Sequence, residues 1–308
     1  MLQVRPLRPD RPPASLLVDA MVAEITRLYG PPELRNAPSA TPDELWAPHG
    51  TYLVLEEDGT AVAGGGVKRL GDGLGEIKRM YVLPEARGRG LARRLLYALE
   101  DAARALGYTR ARLDTGPAQP GARRLYESAG FVSIPDYNDN RAAAFWGEKR
   151  LDVCTLDPAR HPPHAERLLA LQRSAYRREA ALIGFDGIPP LREELPELLA
   201  AGLSWLGRFD GAQLVGALAW EAGAGEVELS RLVVDPLHAR RGHAGALLDE
   251  LEARHPGAPI AVMTGAANAP ALTLYRSRGF VPTGEEVEVA PGVAIARLRR
   301  PGAVSPSR

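Results

Sequence analysis

Apolar residues recur along this chain with two periods. Val18, Met21, Val22, Ile25 and Leu28 share one face of a helix expected over 18–29. A polar, proline-rich loop follows over 30–48. Apolar runs at 51–55 and 61–68, joined by Asp58-Gly59, predict two strands and a tight hairpin. A further strand is expected over 76–83, stopped by Pro84. Leu91, Leu95, Leu99 and Ala102 or Ala103 mark the inward face of a helix over 90–106, ended by Gly107. A strand at 110–114, a helix at 118–129 ended by Gly130, and closing strands at 131–134 and 143–150 complete the first half.

The second half repeats the order. Helices are expected at 164–183 and 191–201, then strands at 204–209, 213–220 and 227–234. A helix at 242–254, a strand at 259–264, a helix at 269–278 and strands at 281–289 and 293–299 follow. The repeat extends to individual residues. EIKRMYVLPEARGRGLARRLL from Glu76 aligns without a gap on ELSRLVVDPLHARRGHAGALL from Glu228. RRLYESAGF, ending at Phe131, matches LTLYRSRGF, ending at Phe280. Two similar domains, 1–150 and 151–300, are therefore expected, with 301–308 a frayed tail. No flexible linker is legible between them.

Composition narrows the class. The 308 residues carry 38 Lys+Arg and 38 Asp+Glu, so the net charge is zero. That disfavours a chain-wide grip on nucleic acid or an anionic membrane. No run of 18 apolar residues occurs, and the first apolar stretch is broken by Asp19, Glu24 and Arg27. Neither a spanning helix nor a signal peptide is expected, and the cytoplasm is the default location. Cys154 is the one cysteine, so an internal disulfide and a cysteine-rich zinc site are excluded. His161-Pro-Pro-His164 supplies two imidazoles without companions, so no metal is expected.

The candidate chemistry starts at Arg87-Gly88-Arg89-Gly90-Leu91-Ala92, between a strand and a helix. Small residues there leave backbone N–H groups uncovered, and the helix N-terminus adds partial positive charge. Together they form a seat for a pyrophosphate. No Gly-Lys-Ser/Thr follows, so this is not a P-loop. Arg93 stands where the dinucleotide fingerprint needs its third glycine. A plain Arg/Gly surface loop is the competing reading, weakened by the recurrence at Arg241-Gly242-His243-Ala244.

Arg87-x-x-Gly90-x-Ala92 resembles the R/Q-x-x-G-x-G/A signature of the GNAT superfamily of acyl-CoA N-acyltransferases. The E-x-x-R-φ-x-V strand from Glu76 and the block ending Ala129-Gly130-Phe131 are similar to it as well. Asn268, Ala271 and Tyr275 repeat the family's N-x-x-A-x-x-x-Y spacing. The resemblance covers both halves, each N-terminal third by pattern only. It implies an α/β class, an α+β mixed sheet. Two tandem GNAT folds are expected, each a mostly antiparallel sheet splayed at the acetyl-CoA site and flanked by helices.

It also implies that acetyl-CoA is the co-substrate. Its pantetheine would lie along Met80, Tyr81 and Val82, and its pyrophosphate on Arg87, Gly88, Arg89, Gly90, Leu91 and Ala92. In the second half the counterparts are Leu232, Val233 and Val234, then Arg240, Arg241, Gly242, His243, Ala244 and Gly245. Asn268 and its first-half counterpart Gln119 would contact the cofactor or a water. Tyr126 and Tyr275 match the position of the general acid, which protonates the departing thiolate, or else pack beside it. Glu76 and Glu228 stand where some members keep a carboxylate base, or they pair with an arginine. Ala239 replaces Arg87 in the second half, which favours the first as the surer catalyst.

The block Pro135-Asp-Tyr-Asn-Asp-Asn140 is similar to a segment bordering the acceptor pocket in some small members. Tyr137, Asn138 and Asn140 would then bind a polar acceptor, and Asp136 or Asp139 a cation. A simple Asn/Asp turn is the alternative. The implied function is transfer of acetyl to a primary amine of a small-molecule or peptide acceptor. The opposing reading is an acyl-CoA sensor or scaffold without turnover. The acceptor and the oligomeric state are not legible.

Overall fold

In the computed structural model, which describes residues 1–31, 39–223 and 225–302, the first half opens on an unannounced strand. Leu2–Pro6 (β1) pairs antiparallel with Thr51–Glu57 (β2), and only Leu2 is sheltered, so no apolar alternation marks it. Ala14–Tyr29 (α1) lies between them in the chain. Thr60–Gly71 (β3) returns from β2 through Asp58 and Gly59, with φ of 50° and 82°. Two successive left-handed residues are what a type I′ hairpin requires. Leu74–Val82 (β4), Leu91–Ala105 (α2) and Arg110–Thr115 (β5) follow. Pro120–Ser128 (α3), Val132–Ser133 (β6) and Phe145–Arg150 (β7) close the half.

These strands form one seven-stranded sheet in the order β1-β2-β3-β4-β5-β7-β6. Both faces are covered. Leu53 and Leu55 of β2 join Leu91, Leu95, Leu96 and Leu99 of α2 in one core. The alternate residues Tyr52 and Val54 join Ala14 and Leu17 of α1 in the other. Burial on both faces explains why β2 reads as an unbroken apolar run. β3 and β4 approach closely at Gly65, where an added Cβ would stand 3.0 Å from Met80 Cγ and from Leu99 Cδ1.

The second half begins with Val153–Leu156 (β8) and the long helix Pro162–Ile183 (α4). The helix expected over 191–201 is shorter. A single turn at Pro189–Leu191 precedes Leu195–Ala200 (α5), which starts at a capping box of Glu194 and Glu197. Then come Ser204–Asp210 (β9), Gln213–Ala222 (β10), Val227–Val234 (β11) and His243–Arg254 (α6). Ile260–Gly265 (β12), Ala269–Ser277 (α7), Val281–Ala290 (β13) and Val293–Arg300 (β14) complete it. The strand order is again one of seven, β8-β9-β10-β11-β12-β14-β13.

By internal packing the chain divides into Met1–Cys154 and Thr155–Arg308. In each sheet the fourth and fifth strands run parallel, β4 with β5 and β11 with β12. Part of the 30–48 loop, residues 32–38, lies outside the described residues, as does most of the 301–308 tail.

Candidate active site

The parallel pairs hold for three residues and then end. Leu74, Gly75 and Glu76 pair with Arg110, Ala111 and Arg112. Beyond Glu76 the remaining lengths of β4 and β5 diverge unpaired. In the second unit Val227, Glu228 and Leu229 pair with Ile260, Ala261 and Val262, and the strands part in the same way. Each sheet is therefore split between its fourth and fifth strands. A pocket of about 140 Å3 fills the first opening. Met80, Asp114, Gln119 and Tyr126 line it, with Glu24 from α1 on the opposite wall.

A bulge shapes the β4 edge. Gly66 pairs with Lys78 and Gly64 with Tyr81, so β4 carries one extra residue there. Arg79, inside the bulge, has φ 55°. Its guanidinium donates to Ala40 O and to Ser39 Oγ, which pins a conformation that a non-glycine residue rarely adopts. In β11 the bulge falls at Ser230, and Arg231 keeps a negative φ. Arg231 instead forms a bidentate pair with Glu193, and Gln172 bonds both of them. The two openings thus share a plan but not their side chains.

The loop before each long helix is built alike. Gly88 and Gly90 both have φ 77°. Arg240 and Gly242, their counterparts, have φ 61° and 83°. The backbone N–H groups of residues 88–93 and 240–245 donate no hydrogen bond among the described residues. Alternating left-handed residues with free N–H groups make a concave anion seat at a helix N-terminus. Arg240 holds that shape without glycine's freedom, at a cost of roughly 1 kcal/mol.

The loop arginines are turned elsewhere. Arg87 donates to Glu24 Oε2 at 2.7 Å and to Val82 O at 3.0 Å, with its guanidinium over the Tyr81 ring. The Tyr81 hydroxyl donates to the same Glu24 oxygen. Glu24 is held below the usual carboxylate range, by Arg87 first. Arg89 pairs with Glu57. In the second unit His243 is buried at the first residue of α6. Its Nδ1 accepts from Arg208, and burial pushes its pKa down. Arg278, which the sequence did not single out, lies against Gly245, where an added Cβ would stand 2.5 Å from Nη2.

Tyr126 is buried, and its hydroxyl reaches Met80 Sδ at 3.8 Å. Burial, with the Asp114 carboxylate adding to it, raises its pKa, so the phenol keeps its proton. Tyr275 is buried likewise, and its pKa is raised by burial, then by Tyr176 and Glu179. Gln119 Oε1 accepts from Thr115, whereas Asn268 Oδ1 caps α7 by accepting from Ala271 N.

The two strand glutamates differ most. Glu76 is only 2 % exposed. Its Oε1 accepts from Tyr137 at 2.7 Å and from Asn138 at 3.3 Å, with Lys78 Nζ at 3.1 Å. Lys78 also bonds Asp114 at 2.8 Å, and Trp146 fixes the Asn138 amide. Burial opposes the Lys78 charge, but Asp114 and Glu76 outweigh it and hold its pKa above the ordinary lysine value. The loop 135–140 thus folds Tyr137 and Asn138 back onto β4. Asp136 and Asn140 serve that loop's own turns.

The second unit has no such network. Ser230 stands in place of Lys78, and Met263, two residues past Ala261, in place of Asp114. Glu228 is partly exposed and bonds Arg297 at 3.1 Å. A long hairpin of β13 and β14 replaces the loop.

In sequence the chain is similar to known acetyltransferases. The family model described as "Acetyltransferase (GNAT) family" matches residues 19–131. That described as "Acetyltransferase (GNAT) domain" matches residues 191–295. The uncharacterized N-acetyltransferase YjgM of Escherichia coli K12 is 34 % identical over 126 residues, 38 % of this chain and 75 % of that protein. The UPF0157 protein YqkA of Bacillus subtilis 168 is 34 % identical over 133 residues. That match takes 43 % of this chain but spans only 38 % of the relative's length. The PaiA N-acetyltransferase of Thermoplasma acidophilum, solved in complex with coenzyme A, is 20 % identical with a TM-score of 0.40. It covers 47 % of this chain and 96 % of its own. Together the two family models take in well over half of the chain, which belongs to the GNAT acetyltransferase family and carries two of its domains in tandem.

Proposed function

We propose that the chain transfers acetyl from acetyl-CoA to a primary amine, and that the first unit is the main catalyst. The observation that carries this reading is the split between β4 and β5, with Tyr126 and Asp114 in one pocket. The residues present fit acetyl-CoA. The free N–H groups of 88–93 suit its pyrophosphate. The unpaired edge of β4 at Met80, Tyr81 and Val82 suits its pantetheine amides. Leu232, Val233 and Val234 offer the same edge in the second unit, beside the 240–245 seat. In this reading Arg87 exchanges Glu24 for the phosphates.

Lys68 reaches Glu76 at 3.7 Å while pairing with Glu44, so Glu44, Glu76 and Asp114 together carry one more negative charge than Lys68 and Lys78 balance. That surplus attracts the acceptor's ammonium group and receives the proton it sheds, with Glu76 as base. The neutral amine attacks the thioester carbonyl, a C–N bond forms and the C–S bond breaks. Coenzyme A thiols have a pKa near 8.5, below that of Tyr126, so the phenol does not hand over its proton early. It hydrogen-bonds the sulfur as negative charge develops, and proton transfer completes with bond cleavage.

The test is thiol release from acetyl-CoA by the whole chain against a panel of primary amines. The expected result is release that depends on the amine, with a matching N-acetylated product. Tight coenzyme A binding without release on any amine would favour the sensor reading instead.

A further inference from the structure

Among the described residues, no carboxylate pairs with the guanidinium in the β4 bulge. Gly64 pairs with Tyr81 and Gly66 with Lys78, so Arg79 and Met80 together oppose Gly65. Paired residues share a face of the sheet. Tyr52, packed against α1, pairs with Gly66, so Lys78 and Tyr81 project to the α1 side. Arg79 reaches that side too. Its Nη2 donates to Ala40 O and to Ser39 Oγ, the latter at 3.3 Å, and Ala40 belongs to the core beneath α1. Arg79 lines the first opening beside Lys78 and Asp114.

Both partners of Arg79 are neutral, and its Nε and Nη1 donate to no described residue. The arginines of the anion loop differ, since Arg87 is paired with Glu24 and Arg89 with Glu57. Glu44 acts on Arg79 electrostatically, but its own oxygens accept from Thr41 and Lys68. Partial burial holds the Arg79 pKa below the ordinary arginine value. Such a group gains more from an anion than a carbonyl and a hydroxyl supply.

The second unit shows what this position accepts. Arg231 aligns with Arg79. Glu193 lies between α4 and β9, as Ser39 and Ala40 lie between α1 and β2. The Glu193 carboxylate accepts two hydrogen bonds from Arg231, at 2.5 and 2.8 Å, with the guanidinium over the Trp205 ring. Gln172 of α4 bonds both partners. The chain thus supplies a carboxylate to one of the two arginines.

We propose that the first unit's acceptor carries a carboxylate as well as its amine, and that Arg79 binds the carboxylate while Glu76 and Asp114 hold the ammonium. This rests on the reading of the chain as an amine acetyltransferase, and it narrows the acceptors to amino carboxylates such as free amino acids. The charges agree. Glu44, Glu76 and Asp114 exceed Lys68 and Lys78 by one negative charge, and Arg79 adds one positive charge apart from them. A wall that keeps the two signs separate matches a zwitterion. A diamine would set a second cation against Arg79. In the second unit Glu193 holds the place of the acceptor's carboxylate.

The experiment uses the whole chain with Tyr275→Phe, so that the first unit is read. Thiol release from acetyl-CoA is measured on amino acids of different amine-to-carboxylate spacing, each beside the amine that lacks only the carboxylate. At least one amino carboxylate should exceed its bare amine in kcat/KM by about tenfold or more, the worth of hydrogen bonds between charged groups. Arg79→Asn should bring that ratio toward one, chiefly through the acceptor's KM. Asparagine tolerates the left-handed φ of 55° at this position. Arg79→Lys, with the charge but without the planar fork, should keep part of the preference. A role confined to holding the bulge would slow both substrates alike and leave the ratio where it was. Turnover on bare amines that no carboxylate improves would overturn the proposal on the Arg79 chain alone, however the variants fold. So would a ratio unmoved by Arg79→Asn. Failure of the amine-transfer reading shows differently, as no thiol release on any amine, and removes both.

Discussion

Tyr126→Phe, in a chain whose second unit is already disabled by Tyr275→Phe, is expected to lower kcat about a hundredfold. That is the low end of what a positioned general acid contributes, because amine attack itself remains possible. KM for acetyl-CoA should stay within twofold. The variant ring keeps its packing, including the edge contact with Phe131 at 6.0 Å between centroids. What it loses is the one O–H that points at Met80 Sδ in the opening. The pH profile offers a second check. Burial raises the Tyr126 pKa above its ordinary value near 10. The parent should therefore show no fall in kcat between pH 7 and 9 from loss of the tyrosine proton. It should instead rise as the acceptor amine loses its own proton. Unchanged turnover in Tyr126→Phe would remove the acid from the mechanism.

The largest stability effect is expected far from the opening. Glu100 of α2 is 1 % exposed, and both its oxygens accept from Lys149 Nζ at 2.8 Å. Arg104 Nη2 lies 3.7 Å away, and it too is buried. Lys149 also sits over the Phe131 ring. Glu100→Leu leaves the ammonium buried without its anion. Breaking such a pair from one side costs about 3–5 kcal/mol. Chemical denaturation should show a loss of that size. Glu100→Leu with Lys149→Met should recover most of it, since apolar replacement of a buried pair is often neutral. Arg104 then retains Asp101, Leu151 O and Cys154 Sγ. A single variant within about 1 kcal/mol of the parent would show that the pair is hydrated rather than buried.

Legibility followed physical cause. The doubled fold was readable because each sheet is covered on both faces, which writes long apolar runs into β2 and β10. The anion loop was readable at Gly88 and Gly90, where glycine marks a left-handed backbone. It was half hidden at Arg240, which takes the same conformation without glycine. Strand β1 was missed because one sheltered residue, Leu2, leaves no alternation to detect. Glu76 was singled out from the strand motif. Tyr137 and Asn138 were singled out as acceptor contacts, but their bonds to Glu76 were not legible, because they arrive from a loop distant in sequence. Glu24 left no signal either. On an amphipathic helix, a polar residue facing an opening has the same spacing as one facing water. Only the packed chain separates them.

Arg87 carries a further lesson. Its place in the signature suggested phosphate contact, yet its side chain rests on Glu24 and the Tyr81 ring. The backbone seat, not the arginine, is common to both units, since Ala239 stands at the second position. The account therefore stands on those two backbone seats. Calorimetric titration of coenzyme A into the whole chain tests them most directly. Two bound per chain are predicted, falling to one in Gly90→Val and to one in Gly242→Val. A β-branched residue cannot readily hold the φ of 77° or 83° that each seat needs. Absence of binding, or a stoichiometry that neither variant changes, would contradict it.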